Sequence, residues 1–178
     1  MRLVLIIVAA AFFTFHQQLK AQNKVRWMSF EEALKKSETK PKKIFVEVYT
    51  DWCKWCKHLD NTTLAEDKIA KYLNENYYPV KLDAQYKNPI VFNNVEYSYV
   101  KAYPQGYHEL AAELLSGKLS FPSIVILDEN NKVIQALDGY KNCIEMDMII
   151  QYFATDNYKT TLWRTYTKNF HAMPVGNR

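Results

Sequence analysis

The sequence predicts an α/β fold, a central mixed sheet flanked by helices. Three observations predict it. Ile44 to Thr50 is apolar on both faces except at Glu47, the pattern of a strand covered on both sides, and Ser123 to Leu127 is a second buried run. Segments with helical spacing alternate with these runs. A Cys-x-x-Cys pair, Cys53 and Cys56, stands between the first run and a helix-compatible segment. The chain has 178 residues, enough for one domain with a real core, and 15% aromatic content with only 4 Gly and 6 Pro describes a packed globule rather than a disordered one. A net charge of +4 without a dense basic cluster gives no ground for a nucleic-acid partner.

At the N-terminus, Arg2 precedes an almost continuously apolar run from Leu3 to Phe15. That run is too short for a bilayer core of ~30 Å, which needs ~20 residues. Leu19-Lys20-Ala21 then offers a cleavage point. Residues 1–21 are therefore expected to be a signal peptide and residues 22–178 the mature domain; an uncleaved membrane anchor is the other reading. Removing residues 1–21 takes away Arg2 and Lys20 and no acid, which lowers the charge from +4 to +2. Export places Cys53, Cys56 and Cys143 in an oxidising space, where they read as one working pair and one separate thiol. Cys143 itself is expected to be a small buried residue.

Along the chain, Val25 to Met28 is a brief entry strand, and Ser29 with Glu32 has the capping-box pattern for a helix over residues 30–37. Pro41 marks a turn before the first buried strand. A helix is expected from Cys53 through Leu59 and another over Asp67–Asn76, followed by a strand over Tyr78–Asp83 with Pro79 at its start. Residues 86–120 look like an insertion. It holds a small hairpin turning at Asn93-Asn94 and a helix over Tyr107–Ser116 stopped by Gly117. Its tyrosines, Tyr97, Tyr99, Tyr103 and Tyr107, cover the sheet or offer a partner surface. After Phe121-Pro122 come the second buried strand, a turn at Asp128–Asn131 and an antiparallel partner over Lys132–Leu137. A helix over Ile144–Thr155 follows, burying Met148, Ile149, Tyr152 and Phe153, and Trp163, Tyr166 and Phe170 fall on one face of a short docking helix. No repeat or dividing linker is present.

Two cysteines at this spacing close a disulfide when the second lies on the first turn of a helix, or they hold a metal; the strand before and the helix after favour redox chemistry. Lys57 stands where haem attachment needs His, and zinc lacks a fourth ligand beyond Cys53, Cys56 and His58, because His108 and His171 are distant in sequence. No metal or other cofactor is expected.

The order strand, Trp-Cys-x-x-Cys, helix, strand, x-Pro, hairpin and helix resembles the thioredoxin fold over roughly residues 30–153. The motif Trp52-Cys53-Lys54-Trp55-Cys56-Lys57 is similar to that of secreted thioredoxin-like proteins of Bacteroidetes-type bacteria, a subgroup that the 86–120 insertion also suits. The resemblance implies a periplasmic protein disulfide oxidoreductase. Cys53 would be the attacking thiol, Cys56 the resolving thiol and Pro122 a cis-proline facing them. Trp52 matches the tryptophan beside the first cysteine, Glu47 the buried acid and Lys81 the lysine near it. Lys54-Trp55 in place of Gly-Pro, and Phe121 before the proline, depart from plain thioredoxin.

The chemistry needs these residue types. Exchange requires a thiolate, and a helix N-terminus at Cys53 contributes about 0.3–1 kcal/mol towards one, up to ~2 when partly buried. Lys54 and Lys57 add positive charge. Glu47, desolvated in an apolar strand, becomes a better base for the proton of Cys56, unless it points into solvent at a sheet edge. The backbone at Phe121 would pair with an extended client, with Phe121, Trp52 and Trp55 as apolar contacts; the tryptophans form a collar around the thiols or belong to the core. The expected partners are thiol- or disulfide-bearing clients and a membrane electron donor, with the protein a monomer acting as a reductase, isomerase second. A redox-silent binding module of the same fold is the rival.

Overall fold

The computed structural model describes residues 24–102 and 104–171. The expected signal segment with its cleavage point at Ala21, Tyr103 and residues 172–178 lie outside the described residues. In chain order the elements are α1 (Phe30–Thr39), β1 (Ile44–Tyr49), α2 (Lys54–Asn61), α3 (Asp67–Asn76), β2 (Tyr78–Asp83), β3 (Ile90–Phe92), β4 (Val95–Tyr97), β5 (Tyr99–Val100), β6 (Tyr107–His108), α4 (Glu109–Leu114), β7 (Ser123–Leu127), β8 (Val133–Asp138), α5 (Cys143–Ala154) and α6 (Trp163–Lys168). Short 3₁₀ turns at Thr63–Ala65 and Asn157–Lys159 complete the path.

The main sheet runs β2-β1-β7-β8 and is mixed. β1 pairs parallel with β2, Glu47 lying opposite Lys81, and antiparallel with β7, Val48 lying opposite Ser123. The period-2 alternation of β1 divides the core into two. Ile44, Val46 and Val48 face one side with Phe30 and Ala33 of α1 and with Ile90, Phe92, Leu110 and Leu114 of the insertion. Phe45 faces the other with Ile124 and Ile126 of β7, Ile69 and Leu73 of α3, and Met146, Ile149 and Ile150 of α5. The insertion therefore covers the sheet.

Local chemistry explains the boundaries. Ser29 Oγ accepts the N–H of Glu32 at 3.1 Å and opens α1. β2 is an edge strand, so the N–H that Pro79 lacks removes no ladder bond, while its carbonyl accepts from Met28 N at 3.0 Å. The entry strand expected over Val25–Met28 shrinks to the single bridge of Met28 with Val80. Asn93 and Asn94 both adopt positive φ, 50° and 63°, the conformation a two-residue hairpin demands. The helix expected from Tyr107 starts two residues later. His108 N–H donates to Ala84 O at 2.7 Å, and His108 Nδ1 accepts from Leu110 N at 3.2 Å, so His108 caps α4 instead of joining it. α5 opens on a capping box of Asn142 and Glu145 and buries Met146 where Met148 was expected; Met148 is half-buried. Cys143 is half-buried at the head of α5, its sulfur 3.9 Å from Thr63 Oγ1, and not part of the core.

Candidate active site

At the end of β1 the chain turns sharply: Cys53 N–H donates to Thr50 O at 3.1 Å. Cys53 is the N-cap of α2, and its Sγ accepts the N–H of Cys56 at 3.0 Å. Helix N-termini leave such N–H groups without intrahelical partners, so the Cys53 sulfur itself satisfies one. Cys53 and Cys56 are joined as a disulfide, their Cα atoms 5.3 Å apart. Cys53 is 5% exposed and Cys56 1%. The first sulfur, whose attack on a client would need it within reach, is thus almost covered by its surroundings. The residues that stand out are the tryptophans, Trp52 at 54% and Trp55 at 60%, so neither belongs to the core. Lys54 and Lys57 are exposed on the same turn.

Pro122 follows a cis peptide bond and immediately precedes Ser123, the partner of Val48; it therefore lies just beyond the end of β1, where the cysteine turn begins. The ring of Phe121 meets that of Trp52 edge to face at 6.0 Å. Trp55 packs against His58 and Tyr140 with centroids 5.5 and 5.6 Å away.

Glu47 is fully buried, on the face of β1 that carries Phe45 and is covered by helices. Lys81, opposite it on β2, holds Asp60 of α2 at 2.6 and 2.5 Å and stands 3.5 Å from Glu47 Oε2, an ion-pair distance. Neither Glu47 oxygen has a hydrogen-bond partner among the described residues. Burial pushes the Glu47 carboxyl up to about 8; Lys81 pulls it down, and Asp60 raises it again by repulsion. Lys81 thus divides its charge between two acids, one buried and one partly exposed.

Two residues of this neighbourhood escaped the sequence reading. Asp60 lies four residues after Cys56 on one helix, so the i,i+4 relation was a usable signal. Gln85 had none: its amide joins Trp52 to the insertion, accepting from Trp52 Nε1 at 3.1 Å and donating to Gly106 O at 3.2 Å. Among the described residues no group of three or more His, Cys, Asp or Glu is placed to hold a metal, and no helix is long and apolar enough to cross a membrane.

A family model described as Thioredox_DsbH, protein of unknown function, DUF255, matches residues 10–138. Spermatogenesis-associated protein 20 of Rattus norvegicus is 29% identical over 87 residues, which cover 48% of this chain and 11% of the relative. The chain spans about a tenth of the length of that protein and of an uncharacterized Caenorhabditis elegans relative. A thioredoxin-fold protein from Helicobacter pylori superposes with a TM-score of 0.54 at 18% identity, covering 72% of this chain and 79% of the other. A solution structure from Bacteroides thetaiotaomicron gives 0.51 at 22% identity, covering 74% and 91%. These structural likenesses establish a thioredoxin fold.

Proposed function

From the premise that the chain belongs to the Thioredox_DsbH (DUF255) family of thioredoxin-like proteins, we propose that it is a thiol–disulfide oxidoreductase acting on client proteins in the periplasm. The observation that carries this reading is the Cys53–Cys56 disulfide capping α2 beside the Phe121–Pro122 loop.

In the reductase direction the pair begins as two thiols, having been reduced by a dithiol donor at the membrane. The Cys53 thiolate, stabilised by the Cys56 N–H and the end of α2, attacks one sulfur of a client disulfide. A Cys53–client bond forms, the client S–S bond breaks, and the second client sulfur leaves as a thiolate and takes up a proton. Cys56 then loses its proton, with Glu47 as the acceptor, and attacks Cys53 Sγ. The Cys53–client bond breaks, the intramolecular disulfide forms, and the first client sulfur departs as a thiolate that is protonated. Two electrons and two protons have passed to the client. Trp52, Trp55 and Phe121 supply apolar contacts, Lys54 and Lys57 add a solvent-screened positive field, and Lys81 offsets part of the burial that keeps Glu47 protonated, favouring the ionised form that accepts the proton. Isomerisation uses the same first step with a different outgoing sulfur.

Trapping tests the proposal. The Cys56→Ser protein, reduced and exposed to disulfide-bearing proteins, is expected to accumulate mixed disulfides through Cys53 that dithiothreitol releases. The near-complete burial of both sulfurs favours the rival reading of a redox-silent module. A Cys53–Cys56 bond that glutathione leaves intact, together with no trapped adducts, would establish that rival instead.

A further inference from the structure

Glu47 lies on β1, and its neighbour β2 is the edge of the main sheet, so a single strand separates the buried carboxyl from the rim. A carboxyl so placed is wetted from the side unless something covers that rim. Residues 24–28 cover it. Met28 N–H donates to Pro79 O at 3.0 Å and fastens one end of the segment to β2. Asn74 of α3 fastens the other end. Arg26 N–H has to meet its amide oxygen, at 2.8 Å, which leaves the amide nitrogen to donate to Lys24 O, also at 2.8 Å. Between these fastenings stands Trp27. Its ring packs on Phe45, two residues before Glu47 on the same face of β1, with centroids 6.4 Å apart. Lys81 Nζ lies 5.6 Å from the centre of the Trp27 ring, so the ammonium that reaches Glu47 also meets the indole. Outside Asp60 is a cleft of about 320 Å³ lined by Trp27, Lys24, Asp60 and Asn61; Glu47 is not part of its lining.

We propose that Trp27 is a positioning residue for disulfide exchange: held by Asn74 and β2, it seals the rim beside Glu47, Lys81 and Asp60 and keeps Glu47 dry enough to accept the proton of Cys56. The inference rests on the thiol–disulfide reading above. The charged groups around Glu47 are few. Lys81 faces it from β2 and Asp60 from α2, Tyr49 is the titratable neighbour on its own strand, and the covering segment brings Lys24 and Arg26, both exposed. Burial outweighs these charges in setting the proton affinity of the acid. Whatever keeps water from the rim therefore decides how good a base Glu47 is. Trp27 does this from outside the sheet, without touching either sulfur.

Paired substitutions isolate the effect. Urea unfolding of the disulfide form is followed from pH 4 to 9 for the parent and for Trp27→Ala, each with and without Glu47→Gln. The stability gap within each pair reports Glu47 alone, since the lost packing of Trp27 is common to both members and cancels. In the parent the gap opens from pH 4.5 and levels off at about 8. In Trp27→Ala the levelling point is expected to fall by about one pH unit or more, because water enters from the rim and burial is the largest cause holding the carboxyl up. Lys81 stays in place through Asp60 and the Tyr49 ring, 4.9 Å away. Trp27→Phe, which restores a ring, is expected to recover most of the parent profile. Should Trp27→Ala not fold, Asn74→Ala, which frees the segment and leaves the ring, is read by the same criterion. A levelling point unmoved or raised in the variant that folds overturns the proposal. Stopped-flow release of a Cys53-linked model peptide is the second arm, and its pH midpoint is expected to fall together with the levelling point. A midpoint that stays while the levelling point moves also overturns the proposal, since Trp27 would then dry Glu47 without serving exchange. If no peptide is released at any pH, the thiol–disulfide reading itself fails and takes the exchange role of Trp27 with it.

Discussion

Replacing Glu47 by Gln tests the buried acid directly. The folded carboxyl sits at about 8 against an ordinary 4.5, so the folded chain holds its proton more tightly than the unfolded chain. Between those two values the folded state carries more bound proton. Stability contributed by this group is complete below pH 4.5, declines as pH rises through the window, and levels off above about 8. At about 1.4 kcal/mol per pH unit, the gap corresponds to a loss on the order of 5 kcal/mol. Glutamine has the shape of the protonated acid and does not titrate. Glu47→Gln is therefore expected to match the parent near pH 4 and to exceed its stability by several kcal/mol at pH 9. Urea unfolding from pH 4 to 9, on the disulfide form so that neither thiol of the pair titrates, measures both slopes. Parallel pH profiles for the two proteins would refute the argument, because no other feature of the substitution removes a pH slope.

In the proposed exchange the same acid takes the proton of Cys56 in the second step. With Glu47 mostly protonated at pH 7, release of a Cys53-linked model peptide should accelerate as pH rises towards about 8; Asp60→Asn, which removes the repulsion and leaves the charge of Lys81 to Glu47, should move that midpoint to lower pH in a stopped-flow profile. A midpoint unmoved or raised in Asp60→Asn contradicts the coupling. Asn142→Ala removes both hydrogen bonds that its side chain accepts at the head of α5, from Ile144 and Glu145, and is expected to cost about 1 kcal/mol in urea unfolding without changing the exchange rate.

The frame of this protein was legible because its strands and helices announce themselves locally. Ile44 to Tyr49 reads as buried on both faces because it is, and the Asn93-Asn94 turn needs only positive φ at two residues. Helix edges were less legible where a side chain far along the chain sets them: His108 leaves α4 because Ala84 claims its N–H. In the candidate site, the cysteines, Pro122 and Glu47 stood out from spacing and resemblance; Glu47 lies within β1, the cysteine turn follows that strand, and Pro122 directly precedes β7, which pairs with it. The burial of Cys53 was not readable, since spacing says that a sulfur caps a helix but not how closely the rest of the fold covers it. Gln85 was invisible for a stronger reason. Both its partners are set by the folded insertion and the turn at Trp52, and nothing in residues 83–87 alone specifies either.

The two borders of the main sheet are closed by different means. Along β2, Met28 occupies the outer carbonyl of Pro79 and bridges Val80. Along β8 the ladder slips at Ile126 and Leu127, and Asp138 at its end is paired with Lys118 at 2.7 Å. A kinked, charged or plugged margin is a poor template for a foreign strand. Guarded in this way, neither rim of the main sheet invites a second chain to zip onto it and lengthen the sheet from outside.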